Sequence, residues 1–192
     1  MKTNEEQIYK ILKEISYDEY IESKCNIYKN SDGVLVINYD NDITNRIESD
    51  REIRYFSRYS KTNCFYTIDG KIYFNDREVF DTSRLHIRGI HNHENICACM
   101  SAIYDMVDID KSFDIISKFS GVEHRLEFVR EINGVKWYND SVSSSPNRTI
   151  AGLNSYNEKI VLIAGGRDKN LDYDPIAKPI IDNVDTLIVM GE

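Results

Sequence analysis

The chain has 192 residues, room for one good domain or two small ones and for a real buried core. Hydrophobic residues make up 41% and charged residues 29%, the balance of a soluble globular protein. A net charge of -8 with no basic block excludes nucleic-acid binding driven mainly by phosphate attraction, although a few placed cations or backbone N–H groups can still hold an anionic ligand.

From the N-terminus, Glu5 to Ile15 carries apolar residues at 8, 11, 12 and 15, a helical period. Asp18 is then expected to cap a second helix that runs to about Tyr28. Gly33 to Asn38 reads as a buried strand, followed by a turn and possible helix cap in Asp40-Asn41-Asp42. Ile53 to Phe56 is a short strand. Cys64–Ile68 and Lys71–Phe74 flank Asp69-Gly70, a strong hairpin signal. Asn75-Asp76 and Val79-Phe80 add a third strand, giving an antiparallel meander inside an otherwise α/β pattern. A helix is expected from about Asn92 to Met106 and another from about Lys111 to Phe119.

Ser120-Gly121 reads as a boundary. After it comes a hairpin, Leu126–Glu131 and Val135–Tyr138, around Asn133-Gly134. Ser145-Pro146 opens a helix with proline at its favoured first position, and Asp174-Pro175 does the same later. Ile160–Ala164 and Thr186–Met190 are strands. The last ends close to the end of the sequence with its edge uncovered, so a shortened chain, or self-association through that strand, is expected.

The cysteines at 25, 64, 97 and 99 match no zinc or disulfide spacing. Cys97 and Cys99 share a predicted helix but face different ways, as free thiols of a reducing compartment would. No apolar run reaches transmembrane length, and MKTNEEQIYKILKEI has no apolar signal core. A cytoplasmic location is expected.

Chemistry concentrates at strand ends. Val135–Tyr138 breaks into Asn139-Asp140-Ser141, and Ile160–Ala164 into Gly165-Gly166-Arg167-Asp168-Lys169. Open α/β sheets bind ligands where strand carboxyl ends give way to such turns, so the two turns read as two walls of one site. Asn92 and Asn95 lie three apart on one face of a helix N-terminus, where two amides can read an adenine or ribose edge; a simple cap by Asn92 is the plainer account. His91-x-His93 lacks a third metal ligand in view. Arg125 carries the planar fork suited to phosphate oxygens, though an isolated Arg is more often surface.

Four segments occur together in order: Gly89…His91-Asn92…Asn95, Phe119–Glu127, Trp137–Ser141 and Ala164–Lys169. This series resembles the Mur ligase family, and the detail Asn139–Leu153 is similar to its D-glutamate-adding branch. The resemblance runs from about Tyr17 to Glu192. It implies an α/β chain with part of a central ATP-binding domain over 1–119 and the first half of a Rossmann-like C-terminal domain over 120–192. It implies an ATP-dependent ligase of peptidoglycan precursor synthesis. ATP phosphorylates the carboxylate of UDP-N-acetylmuramoyl-L-alanine, and the amine of D-glutamate attacks the acyl phosphate. By the same resemblance Asn92 and Asn95 lie at the nucleotide with His91 beside them, Arg125 reaches phosphate, and Asp140 holds the ribose or hinge side. Ser144 and Lys169 position D-glutamate. Lys24 matches the family lysine that is carbamylated to become an oxygen ligand for Mg2+; by itself it reads as a solvated helix residue.

Three departures stand out. There is no G-x-x-G-K-[ST] phosphate loop anywhere in the sequence. Met1 to Ile15 is a charged amphipathic segment where the family has an apolar strand and a His-Asp metal-binding stretch. Val142 stands where many relatives carry lysine. The expectation is an incomplete, inactive portion of a ligase. The competing readings are a portion of a folylpolyglutamate synthase-like ligase, a noncatalytic nucleotide-binding remnant and, last, a dehydrogenase fragment, which lacks G-x-G-x-x-G.

Overall fold

The computed structural model describes residues 16–167 and 171–191. The helix expected over Glu5–Ile15, Asp168 and Lys169 lie outside the described residues. The chain divides into two compact units, one of Met1–Leu35 with Glu48–Ile53, the other of Val36–Ile47 with Arg54–Glu192.

In the first unit, α1 spans Tyr17–Lys29. Its cap is Ser16, not Asp18. The Glu19 backbone N–H donates to Ser16 Oγ at 3.2 Å, and the Ser16 N–H donates to the Glu19 carboxylate at 2.8 Å. This reciprocal capping box satisfies two otherwise orphaned donors, and leaves Asp18 in the first turn, where its charge still favours the helix dipole. Beyond the helix, the Arg51 guanidinium gathers the carbonyls of Tyr28, Ser31 and Gly33.

β1 (Leu35–Asn38) pairs with β2 (Ile53–Phe56); apart from their first residues, Leu35 and Ile53, both strands belong to the second unit. β1 is shorter than expected and buried on one face only, through Leu35 and Ile37. Asn41 Oδ1 accepts from the Ile43 and Thr44 N–H groups and starts a single 3-10 turn, as its turn chemistry suggests. The antiparallel meander is β3 (Phe65–Ile68), β4 (Lys71–Phe74) and β5 (Arg77–Asp81). Both of its two-residue turns, Asp69-Gly70 and Asn75-Asp76, take positive φ at both positions, which matches the twist of the strands they join.

α2 spans Ile90–Ile103 and α3 spans Ile109–Lys118. α2 begins two residues before the expected start, because Gly89 at φ +92° makes the turn into it. α3 begins where Asp108 Oδ1 accepts from the Lys111 N–H at 3.0 Å. The core forms between the meander and these helices. Phe65, Ile72 and Phe80 meet Ile96, Cys97, Met100 and Phe113. Phe80 and Phe113 stack with centroids 4.8 Å apart. At its edge Arg54, buried and lying over the Tyr104 ring, grips Asp105 at 2.8 Å and the Ser101 carbonyl at 3.1 Å.

β6 (Glu127–Ile132) and β7 (Val135–Asn139) form the second hairpin, around Asn133-Gly134 as expected. α4 spans Pro146–Leu153, β8 Ile160–Gly165, α5 Ala177–Asn183 and β9 Val184–Met190. β8 and β9 are parallel, with Leu162 opposite Leu187 and Ile163 opposite Ile188. A side chain at Gly165 would sit 1.5 Å from the Met190 carbonyl oxygen, so only glycine lets the two strand ends approach. The result is the mixed α/β fold that the sequence pattern predicts.

Candidate functional site

The site grows from the N-terminus of α2. Gly89 precedes the helix with no side-chain cap, and Ser155 and His91 crowd the place where its side chain would be. A Cβ there would lie 2.3 Å from Ser155 Oγ and 2.6 Å from His91 Cε1. Since the helix starts before it, Asn92 is no cap. Its amide donates to the Arg88 carbonyl at 2.6 Å, inside the first turn. The exposed Asn95 amide stands 3.4 Å from Asn92 Oδ1, so the two amides do share one face.

Beneath that face, Glu94 is held from two sides. Asn38, at the carboxyl end of β1, donates to it at 2.6 Å, and Arg58 pairs with it at 3.6 Å. Asp40 fixes the chain around Arg58 by accepting from Ser57 Oγ at 2.6 Å and from the Arg58 N–H at 2.8 Å. The Arg58 guanidinium lies over the Tyr59 ring, and its Nε is buried without a hydrogen-bond partner. His91 is half-buried, and burial is the main cause holding it below the ordinary histidine value. The Arg125 cation and, more weakly, Arg58 push the same way; Asp140 and Glu94 oppose them. His91 is therefore a neutral imidazole near pH 7, within the fields of Arg125 and Asp140.

The facing wall is a locked turn. His124 and Leu126, on either side of Arg125, both have positive φ. The Leu126 N–H donates to Asp140 Oδ1 at 3.1 Å, which pins this strained loop to the end of β7. Asp140 Oδ2 also lies 3.1 Å from where a side chain at buried Gly152 would be, so α4 packs directly under the carboxylate. The Asn139 amide reaches His124 Nδ1 at 2.8 Å, and the Val142 N–H reaches the His124 carbonyl at 3.2 Å. Arg125 stays exposed on this rigid support. Tyr138, Tyr156 and Arg88 meet behind it. Arg88 lies 5.4 and 5.5 Å from the two ring centroids, and the rings meet edge to face at 5.5 Å. Burial first, then Tyr138, pushes the Tyr156 hydroxyl up to about 12.

His91, Asn92, Asn95, Arg125 and Asp140 are thus brought to one region, although they come from separate segments of the sequence. Ser144 is exposed in the turn after Asp140, where its N–H donates to the Val142 carbonyl at 2.9 Å. Lys24 is exposed on α1 with its Nζ 5.5 Å from the Tyr20 ring centroid. Among the described residues no group of three or more His, Cys, Asp or Glu could hold a metal ion. None of the described helices is long and apolar enough to cross a membrane. The support formed by Asn38, Asp40, Arg58 and Glu94, and the Arg88–Tyr138–Tyr156 stack, escaped the sequence reading. Asn38 and Asp40 carried a signal, since they end a strand in a polar turn as Asn139 and Asp140 do. The stack carried none, because its members are distant in sequence.

No protein-family profile matches the chain. A UDP-N-acetylmuramoylalanine--D-glutamate ligase of Acetivibrio thermocellus is 44% identical over 92% of this chain and 40% of its own length. The enzyme of the same name from Clostridium botulinum strain Alaska E43 is 44% identical over 91% of this chain and 39% of its own. The chain therefore spans about two fifths of the curated relatives it matches. Among solved structures, the UDP-N-acetylmuramoylalanyl-D-glutamyl-2,6-diaminopimelate--D-alanyl-D-alanyl ligase of Acinetobacter baumannii shares the fold at TM-score 0.72 and 17% identity, over 91% of this chain and 43% of that one. UDP-N-acetylmuramate-alanine ligase MurC of Thermotoga maritima does so at TM-score 0.68 and 18% identity, over 91% and 41%.

Proposed function

Because the chain belongs to the Mur ligase family, we propose that it carries the nucleotide-facing part of a UDP-N-acetylmuramoylalanine--D-glutamate ligase, spanning part of a central ATP-binding domain up to about residue 119 and part of a C-terminal domain from about residue 120. The observation that carries the proposal is the close approach of the two walls: Ser155, just past the end of α4, crowds Gly89 at the N-terminus of α2, while Asp140 packs over Gly152 of α4 and holds the Arg125 loop. In an ATP-dependent ligation the nucleotide supplies the phosphoryl group that activates the substrate carboxylate. Asn92 and Asn95 face the base or ribose. Arg125, always charged and with no side-chain hydrogen bond or ion pair among the described residues, holds phosphate. Asp140 fixes the Arg125 loop and takes the ribose side. Neutral His91 accepts or donates one hydrogen bond without adding charge beside Arg125. Ser144 and Lys169 receive the carboxylates of D-glutamate, for which hydroxyl and ammonium donors are suited. The muramoyl substrate, D-glutamate and a cytoplasmic setting follow from the same proposal.

The donor set fits ATP: two amides, an exposed guanidinium and the N-terminus of a fourteen-residue helix. Mg2+ is not accommodated by the described residues alone. Carbamylated Lys24 would add one oxygen ligand, and no step is assigned to the ion. A carbamate signal in the 13C NMR spectrum of the chain in labelled bicarbonate, lost in Lys24→Arg, is the check on that residue.

The 192 residues contain no phosphate loop, so the chain supplied alone is expected to bind ATP and not to turn over. Calorimetric titration with ATP, and a ligation assay with ATP, UDP-N-acetylmuramoyl-L-alanine and D-glutamate, test this. Heat of binding that disappears in Arg125→Ala, with no amide product, is the expected result. An amide product from the isolated chain, or binding indifferent to Arg125, overturns it. The exposed apolar residues of β9, Leu187 to Met190, also suit self-association, which sedimentation of the chain would detect.

A further inference from the structure

One side chain touches both parts of the site. Arg88 is the residue before Gly89, and its carbonyl accepts from Asn92, so its backbone belongs to the start of α2. Its guanidinium lies between Tyr138, two residues before Asp140, and Tyr156, next to the Ser155 that crowds Gly89. No hydrogen bond or ion pair joins residues 86–95 to residues 135–156 among the described contacts. The two walls meet there through packing and this one cation.

We propose that Arg88 is a positioning residue: clasped between Tyr138 and Tyr156, it latches the Arg125–Asp140 wall onto the N-terminus of α2 so that one ligand can touch both. The latch deepens the nucleotide-site proposal, and its ligand-binding arm rests on that proposal. A planar guanidinium suits this role because it stacks on an aromatic face while needing no hydrogen-bond acceptor there. All three side chains are half-buried, where a cation–π contact is stronger than on an open surface. The Tyr156 hydroxyl is not required, since the ring face makes the contact.

Amide hydrogen exchange of the 192-residue chain tests the latch, with ATP binding read in parallel through Trp137, the sole tryptophan, adjacent to Tyr138. Arg88→Met and Tyr156→Leu should each speed exchange about tenfold in residues 124–156. The β3–β5 meander should keep its protection, which a general loss of stability would not allow. The double variant should fall short of the sum of the two single effects, because both remove the Arg88–Tyr156 contact while each also removes one contact to Tyr138. Tyr156→Phe should match wild type. ATP affinity should fall with Arg88→Met and Tyr156→Leu and hold in Tyr156→Phe. Should Arg88→Met fail to fold, Arg88→Lys, which keeps the charge and loses the plane, should give an intermediate increase. Unchanged exchange in 124–156, strictly additive effects, or an increase spread evenly over the chain overturns the latch. A wild-type chain that binds no ATP overturns the nucleotide-site proposal instead, and the exchange data still decide the latch.

Discussion

Replacing Gly89 with alanine tests how tightly the start of α2 is packed. Gly89 has φ +92° and ψ 140°, a region that side-chain-bearing residues avoid at a cost of about 1–3 kcal/mol. The added Cβ would also lie 2.3 Å from Ser155 Oγ and 2.6 and 2.8 Å from two atoms of the His91 ring. Ser155 cannot turn away freely, because its hydroxyl donates to the Ala151 carbonyl at 2.8 Å. Overpacking of this kind adds about 1–3 kcal/mol, for a total of about 2–6 kcal/mol. Gly134→Ala is the control: its φ is +81°, but nothing lies within 4 Å of the new Cβ, so only the backbone cost remains. Urea unfolding followed through Trp137 should show Gly89→Ala clearly less stable than Gly134→Ala. Adding Ser155→Ala should recover part of the difference, since it removes one of the clashing atoms. A Gly89→Ala chain as stable as Gly134→Ala would refute the packing described at the site.

Phe113→Ala should cost about 3–5 kcal/mol in the same urea experiment, because it empties the centre of the core beside Phe80. His91 and His93 both titrate below the ordinary histidine value, chiefly through burial. The unfolded chain therefore takes up these protons first. Stability is complete above a pH of about 6.5 and falls as pH drops from there through the lowered folded values. A His93→Gln chain should show a flatter stability profile across that window, measured by urea midpoint against pH. Maleimide labelling of the native chain should modify exposed Cys99 and spare Cys64 and Cys97 until urea unfolds it. Burial, with lesser help from Glu94 and Cys64, pushes the Cys97 thiol up to about 12.

Local structure was the most legible part of the sequence. Asp69-Gly70, Asn75-Asp76 and Asn133-Gly134 each specify a hairpin by the positive φ they tolerate, and each forms one. Pro146 opens α4 as its fixed φ suggests. Helix starts were less legible where two caps competed. Ser16 outdid Asp18 because only Ser16 has Glu19 at the position that completes a capping box. Gly89 outdid Asn92 because its backbone freedom allows the helix to begin earlier.

The site divides along the same line. His91, Asn92, Asn95, Arg125 and Asp140 lie in compact polar turns, and a turn of that composition is visible in one dimension. Arg88 and Tyr156 look like any surface arginine and helix-end tyrosine until the fold brings them together. Asn38 and Glu94 are likewise ordinary residues whose pairing depends on β1 ending beside the first turn of α2.

The central claim is that residues 88–95 and 124–140 form two sides of one nucleotide site. Hydrogen exchange of the chain with and without saturating ATP tests it most directly. Protection gained in both segments together, and lost from both in Arg125→Ala, is the predicted result. Protection confined to one segment, or arising only elsewhere in the chain, would contradict it.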